Sequence, residues 1–110
     1  MSGGAVAEGV LIVTGGSRGI GAATSRLAAK AGYSVLVNYA RDAATAEALV
    51  DDIRTAGGNA MAVRADVGVE ADVLALFEAA DRFGRLAGLV NNAGVVDLVS
   101  RVDEMSVDRM

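Results

Sequence analysis

Four short apolar runs begin near residues 10, 34, 60 and 86, in steps of 24, 26 and 26. That spacing constrains the fold more than any other feature of the chain. Val10, Leu11, Ile12 and Val13 form one continuous run and Val35, Leu36 and Val37 another, while residues 61–63 and 89–90 are weaker versions. Unbroken β-rich runs of this length suit strands buried on both faces of a parallel sheet. Between them fall helical periods: Ile20, Ala23, Leu27 and Ala28, then Ala46, Leu49, Val50 and Ile53, then Val73, Leu76, Phe77 and Ala80. Each stripe is expected to face the sheet. Because crossovers between parallel strands are right-handed, the alternation predicts an α/β fold: an open, doubly wound parallel sheet with helices on both faces. A leucine-rich repeat has units of similar length, but its Leu-x-x-Leu-x-Leu consensus is absent at all four starts.

Local signals agree with this reading. Asp42 is placed to cap the second helix, and Gly32, Gly57 and Gly84 each follow a helical segment, where a left-handed residue is wanted. The chain has 14 glycines and no proline, so glycine must make the turns. At 110 residues and 53% hydrophobic it has enough apolar material for one domain with a real core. A net charge of −4 opposes binding to nucleic acid or an anionic membrane surface. With neither cysteine nor histidine, disulfides, thiolate metal sites and the commonest general base are excluded, and no metal is expected. The longest uncharged stretch, residues 86–96, is too short to span a bilayer, and no basic segment precedes an apolar one at the N-terminus. A cytoplasmic protein is expected, with residues 1–8 as a flexible tail.

Chemistry enters where the first run ends. Thr14, Gly15, Gly16, Ser17, Arg18, Gly19, Ile20 and Gly21 lead directly into the first helix. A strand, a glycine turn and a helix start together make a phosphate site. Unpaired backbone N–H groups and the positive end of the helix dipole face the ligand, and glycine lets it approach the backbone. Gly15, Gly19 and Gly21 are spaced Gly-x-x-x-Gly-x-Gly rather than Gly-x-Gly-x-x-Gly, and no Lys-Ser/Thr follows to make a P-loop. A tight turn joining strand to helix would look the same, so this loop alone is weak evidence.

A second segment, Asn91, Asn92, Ala93 and Gly94, follows the fourth run. Thr-Gly-x-x-x-Gly-x-Gly after the first strand and Asn-Asn-Ala-Gly after the fourth together resemble the short-chain dehydrogenase/reductase family. Asp66 and Val67 after the third strand match it as well, so the resemblance covers essentially the whole chain. It implies a Rossmann-like sheet in the order 3-2-1-4, with the C-terminal strands missing, so that residues 1–110 form a dinucleotide-binding half-domain. By the same resemblance, Gly15, Ser17, Arg18, Gly19 and Ile20 line the pyrophosphate and the adenosine phosphate. Asp66 and Val67 hold the adenine, and Asn91, Ala93 and Gly94 lie under the ribose toward the nicotinamide. The bland alternatives are a strand-end acceptor for Asp66 and amides that satisfy neighbouring backbone for Asn91 and Asn92.

Cofactor choice is read at the end of the second strand, where an acid would bind the ribose diol of NAD. Asn38, Tyr39, Ala40 and Arg41 stand there instead, and the family's NAD-selecting acid would fall near Tyr39. Asp42, 21 residues after Gly21, is better placed as a cap. Arg18 and Arg41 are expected to converge on a 2'-phosphate, which favours NADP over NAD; the alternative is a solvated Arg41.

The resemblance also implies hydride transfer between nicotinamide and a small-molecule carbonyl or alcohol, by catalytic residues (a Ser and a Tyr-x-x-x-Lys pair) downstream of Asn-Asn-Ala-Gly. No such Tyr is present: neither Tyr33 nor Tyr39 is followed four residues later by Lys, and Lys30 is the only lysine. Ser106 and Asp108 look like the start of another helix, so a truncated chain without its own carbonyl reduction is expected. The nearest likeness is to the bacterial branch that includes β-ketoacyl carrier-protein reductases and glucose dehydrogenases. The competing reading is a non-catalytic dinucleotide-binding or interaction module. In the order 3-2-1-4, residues 89–91 pair on one side only, so that edge is expected to be covered, by another copy, by a rearranged segment of the same chain or by a remainder of the protein, and a homo-oligomer is expected.

Overall fold

The structure is a computed structural model, and it describes residues 8–92. Seven elements alternate along the chain: β1 (Val10–Thr14), α1 (Gly19–Ala31), β2 (Ser34–Tyr39), α2 (Ala43–Thr55), β3 (Asn59–Arg64), α3 (Glu70–Phe83) and β4 (Leu86–Asn91). The strands form one parallel sheet in the order β3-β2-β1-β4, as the sequence predicts. Residues 1–7 of the expected tail, Ala93, Gly94, Ser106 and Asp108 lie outside the described residues.

Successive residues of one strand point to opposite faces, and here both faces are buried. Val13, Val35, Val37 and Ala60 pack with Ala28 of α1 and with Ala46, Leu49, Val50 and Ile53 of α2. Val10, Ile12 and Leu36 turn the other way and pack with Ala65 and with Leu76, Ala79 and Ala80 of α3. Burying an aliphatic side chain of this size stabilises by about 1.5–3 kcal/mol, so the continuous runs on β1 and β2 hold two layers of helix at once. The stripes expected on α2 and α3 are the ones that face the sheet.

Of the stripe expected on α1 only Ala28 faces the sheet. Ile20 and Leu27 are 78% and 67% exposed, and Ala23 is exposed too, while Gly21, Ser25 and Ala28 face the sheet. Small residues win that face because the helix starts so close to the glycine turn. A Cβ on Gly21 would fall inside van der Waals contact of the Gly15 carbonyl oxygen and 2.9 Å from Gly16 Cα. Larger side chains have no room there. Gly84 is also a correction: its φ of 163° and ψ of −168° are extended rather than left-handed, although it follows α3 as Gly32 follows α1. Gly32 and Gly57 are left-handed as expected, with φ of 110° and 96°.

Among the described residues β4 pairs with β1 alone, in a register that shifts between Val10 and Leu11. None of its residues is fully buried. No helix among the described residues is long and apolar enough to cross a membrane.

Candidate functional site

A parallel sheet followed by helices gathers its strand ends on one edge. Thr14, Tyr39, Arg64 and Asn91 end the four strands there, and the turns that lead into the helices lie above them. At the first turn Gly15 and Gly19 take φ of 59° and 50°, a left-handed conformation that costs other residues about 1–2 kcal/mol. α1 then begins at Gly19. Its N-cap residue, Arg18, gives the helix no side-chain hydrogen bond, and no acid stands in its first turn. By contrast, Asp42 caps α2 through the Thr45 N–H, and Glu70 and Asp72 lie in the first turn of α3. The first N–H groups of a helix have no partner within it, so α1 presents a bare, electropositive end behind a glycine turn.

Three buried polar side chains brace that turn. Ser25, fully buried on α1, shares its hydroxyl between the carbonyls of Gly21 (2.9 Å) and Gly16 (3.3 Å). Asn38, 2% exposed near the end of β2, accepts the Gly15 N–H at 3.4 Å and donates to the carbonyl of Ala65 at 3.0 Å. Its own carbonyl accepts the Gly16 N–H at 3.1 Å. One residue thus links the glycine turn to the segment beyond β3. Thr14 does the same toward β4: its Oγ accepts the Asn92 N–H at 3.0 Å and lies 3.3 Å from the Val90 carbonyl. The Nδ2 atoms of Asn91 and Asn92 are buried without an acceptor among the described residues. Buried donors are rarely left so, and the sequence alternative in which these amides satisfy neighbouring backbone is not realised for either nitrogen.

The outer part of the edge is charged. Arg18 pairs with Asp42 at 2.7 Å, which joins the glycine turn to the start of α2. The Thr45 hydroxyl, then Arg18, then the Thr45 N–H lower the Asp42 pKa from 3.8 to about 2. Asp42 is therefore a cap, as expected, and also the partner of Arg18. Beyond it, Ala40, Arg41, Arg64, Asp66 and Asp72 line a cavity of about 450 Å³. Asp66 accepts the Gly68 N–H through Oδ1 at 2.8 Å, and its own N–H donates to Asp72 at 2.8 Å. The expected convergence of Arg18 and Arg41 is not the arrangement here: Arg18 is held by Asp42, and the arginine beside Arg41 in the cavity is Arg64.

A groove of about 470 Å³ lies at the opposite edge, lined by Arg26, Lys30, Asp52, Ile53 and Gly58 among others. It adjoins the C-terminal halves of α1 and α2, whose dipoles disfavour anions. The strand-end edge is the better candidate for a phosphate ligand.

Sequence reasoning thus finds Gly15, Ser17, Arg18, Gly19, Ile20, Asn38, Tyr39, Arg41, Asp66, Val67 and Asn91 on or beside one edge of the sheet. It misses the bracing roles of Thr14 and Ser25 and the place of Arg64. A strand-end polar residue next to a glycine turn is a weak signal for Thr14; nothing in the periodicity marks Ser25 or Arg64.

Four parallel strands in this order, with a glycine turn between β1 and α1, define a Rossmann-like α/β unit. A family profile for short chain dehydrogenases matches residues 9–110, and the chain belongs to that family. It is 42% identical over 102 residues to an uncharacterized oxidoreductase of Escherichia coli, YgfF, a match covering 92% of this chain and 41% of that protein. It is 46% identical over 87 residues to a 3-oxoacyl-acyl-carrier-protein reductase of Synechocystis, covering 78% and 35%. Among solved structures, a dehydrogenase/reductase from Sinorhizobium meliloti superposes with a TM-score of 0.76 at 40% identity, over 79% of this chain and 35% of that one. The chain spans about two-fifths of the length of the curated relatives it matches.

Proposed function

We propose that this chain binds NADP(H) and forms the cofactor half of an oxidoreductase that moves hydride between the nicotinamide and a small-molecule carbonyl or alcohol. The observation that carries the reading is the bare N-terminus of α1 behind a glycine turn that a Cβ on Gly21 would close. A dinucleotide fits these residues. The N–H groups at Gly19 and Ile20 meet its pyrophosphate, and Gly15, Ser17 and Arg18 surround it. Asn38, with its side chain bonded to the Gly15 N–H and the Ala65 carbonyl, holds the turn in shape rather than reaching the ligand. Asp66 and Val67 border the adenine. Asn91, whose Nδ2 lacks an acceptor among the described residues, lies on the ribose side.

When bound, the nicotinamide supplies or accepts the hydride. No Tyr-x-x-x-Lys pair occurs in residues 1–110, so none of these residues is assigned as the acid or base of that reaction. NADP is favoured over NAD because Tyr39 ends β2 where an acid would bind the ribose diol, and because Arg41 follows it. The edge of β4, which among the described residues pairs with β1 alone, supports a homo-oligomer, and the cytoplasm is the compartment that suits a nicotinamide reductase of this composition.

Isothermal titration tests the cofactor. One charge-assisted hydrogen bond contributes about 1.5–3 kcal/mol, so NADPH should bind about 10–100-fold more tightly than NADH. Tyr39→Asp should move the preference toward NADH by repelling the phosphate, and Arg41→Ala should weaken NADPH while sparing NADH. Equal affinities, or tighter NADH, refute the assignment.

A further inference from the structure

The cavity at the ends of β2 and β3 holds more positive charge than the motif accounts for. Arg41 comes from the turn after β2 and Arg64 is the last residue of β3, paired in register with Tyr39. Arg64 donates its Nε–H to the carbonyl of Ala40 at 3.3 Å. That bond fixes the guanidinium against the turn that carries Arg41 and leaves its two terminal nitrogens for another acceptor. Neither arginine is within ion-pair distance of a carboxylate among the described residues, where the two pairs are Arg18–Asp42 and Arg26–Asp52. The cavity's own acids are otherwise engaged: Asp66 accepts the Gly68 N–H and Asp72 the Asp66 N–H.

Two arginines and two aspartates line the cavity, so its formal charge balances, but the aspartates accept backbone N–H groups while the arginines' terminal nitrogens are the donors left to meet a ligand, which suits an anion. No group of three or more acidic side chains that could hold a metal occurs among the described residues. Its position selects which anion. β2 and β3 stand one and two places from β1, and neighbouring strands are about 5 Å apart, so the cavity lies about 5–10 Å from the glycine turn. That separation is within reach of a ribose carrying a phosphate at each side.

We propose that Arg64 is a second cation, beside Arg41, that reads the 2'-phosphate of NADP(H), and that it contributes to cofactor specificity from β3 as Arg41 does from the turn after β2. The proposal rests on the NADP reading above. Arg64 has two separable functions: its Nε holds the Ala40 carbonyl, and its terminal nitrogens carry the charge that a phosphate needs.

Arg64→Gln separates them, because the Gln amide nitrogen stands where Nε stood and can keep the bond to Ala40 while the charge is lost. Titration with NADPH and NADH is expected to show NADPH weakened about tenfold and NADH unchanged within about twofold. Arg64→Lys, which keeps the charge, is expected to retain most of the NADPH preference. If the unmodified protein prefers NADPH and Arg41→Ala removes that preference while Arg64→Gln leaves it intact, the role of Arg64 is overturned and the NADP reading stands. Equal weakening of both nucleotides by Arg64→Gln also overturns it, since that is what a merely structural bond to Ala40 would give. If the unmodified protein shows no NADPH preference, the NADP reading fails and takes this proposal with it.

Discussion

Replacing Gly21 by Ala puts one methyl group where α1 crosses the glycine turn, and the structure sets the size of the effect. The new Cβ would overlap the Gly15 carbonyl oxygen and lie 2.9 Å from Gly16 Cα, both of them backbone atoms that cannot rotate away. Overpacking of a well-filled site costs about 1–3 kcal/mol, and rigid neighbours put this one at or above the upper end. Alanine returns about 1 kcal/mol through its better helix propensity, which leaves a net loss of about 2 kcal/mol. For a domain of this size that is a fall in Tm of about 8–16 °C. Gly57→Ala is the comparison: its φ is 96°, but nothing lies within 4 Å of the added Cβ. Only the left-handed backbone opposes it, at about 1–2 kcal/mol. The two variants differ more sharply in nucleotide affinity. Gly21→Ala must push the turn away from the start of α1 and should abolish NADPH binding, whereas Gly57→Ala should leave it unchanged. Thermal melts with and without NADPH read both quantities. A Gly21→Ala protein with unchanged Tm and unchanged ligand-induced stabilisation would refute the close-approach argument.

Asn38→Ala removes the bracket between the glycine turn and the end of β3 and strands the buried Gly15 N–H and Ala65 carbonyl; urea denaturation should show a loss of about 2–4 kcal/mol. A loss under about 0.5 kcal/mol would mean that water or a shifted backbone replaces the side chain. Asp42→Asn keeps an acceptor for the Thr45 N–H but loses the ion pair with Arg18. Because the folded pKa of Asp42 is depressed from 3.8 to about 2, its carboxylate stabilises the fold above about pH 4, and that stabilisation is lost as the pH falls through about 2. The Tm difference between the two proteins should therefore be present at neutral pH, shrink as the pH falls from about 4 and vanish only below about pH 2, and a difference of full size that persists there would contradict the linkage.

The elements were legible where one physical demand dominated. β1 and β2 are buried on both faces, so their runs are unbroken, and α2 covers the sheet with a full helical stripe at Ala46, Leu49, Val50 and Ile53. The stripe on α1 misled because burial there is set by distance rather than by hydrophobicity. Gly21, Ser25 and Ala28 are inside because they are small, and Ile20 and Leu27 are left outside. Apolar residues on a surface are common enough that a periodic run does not by itself identify the buried face. Gly84 shows the same limit, since glycine after a helix permits a left-handed residue without requiring one.

The candidate site was legible as motifs and not as a network. The glycine turn and the Asn-Asn-Ala-Gly segment have fixed local spacing. The bonds that brace them join residues 23 to 78 positions apart, through Asn38 and Thr14, and no period or cap reveals them. Arg64 is hidden for the same reason: on the sequence it is one exposed arginine, and only the pairing of β2 with β3 brings it to the turn after Tyr39.

The central claim is that a nicotinamide dinucleotide lies across the strand-end edge, with its pyrophosphate at the start of α1. Titrating NADP into isotope-labelled protein and following backbone amide shifts by NMR tests it most directly. The account predicts saturable shifts at Gly15, Gly16, Gly19, Ile20 and Gly21, at Ala40 and Arg41, and at Asp66 and Val67. The groove lined by Arg26, Asp52 and Gly58 should stay silent. Shifts confined to that groove, or a folded protein whose glycine-turn amides do not move at saturating NADP, would contradict it.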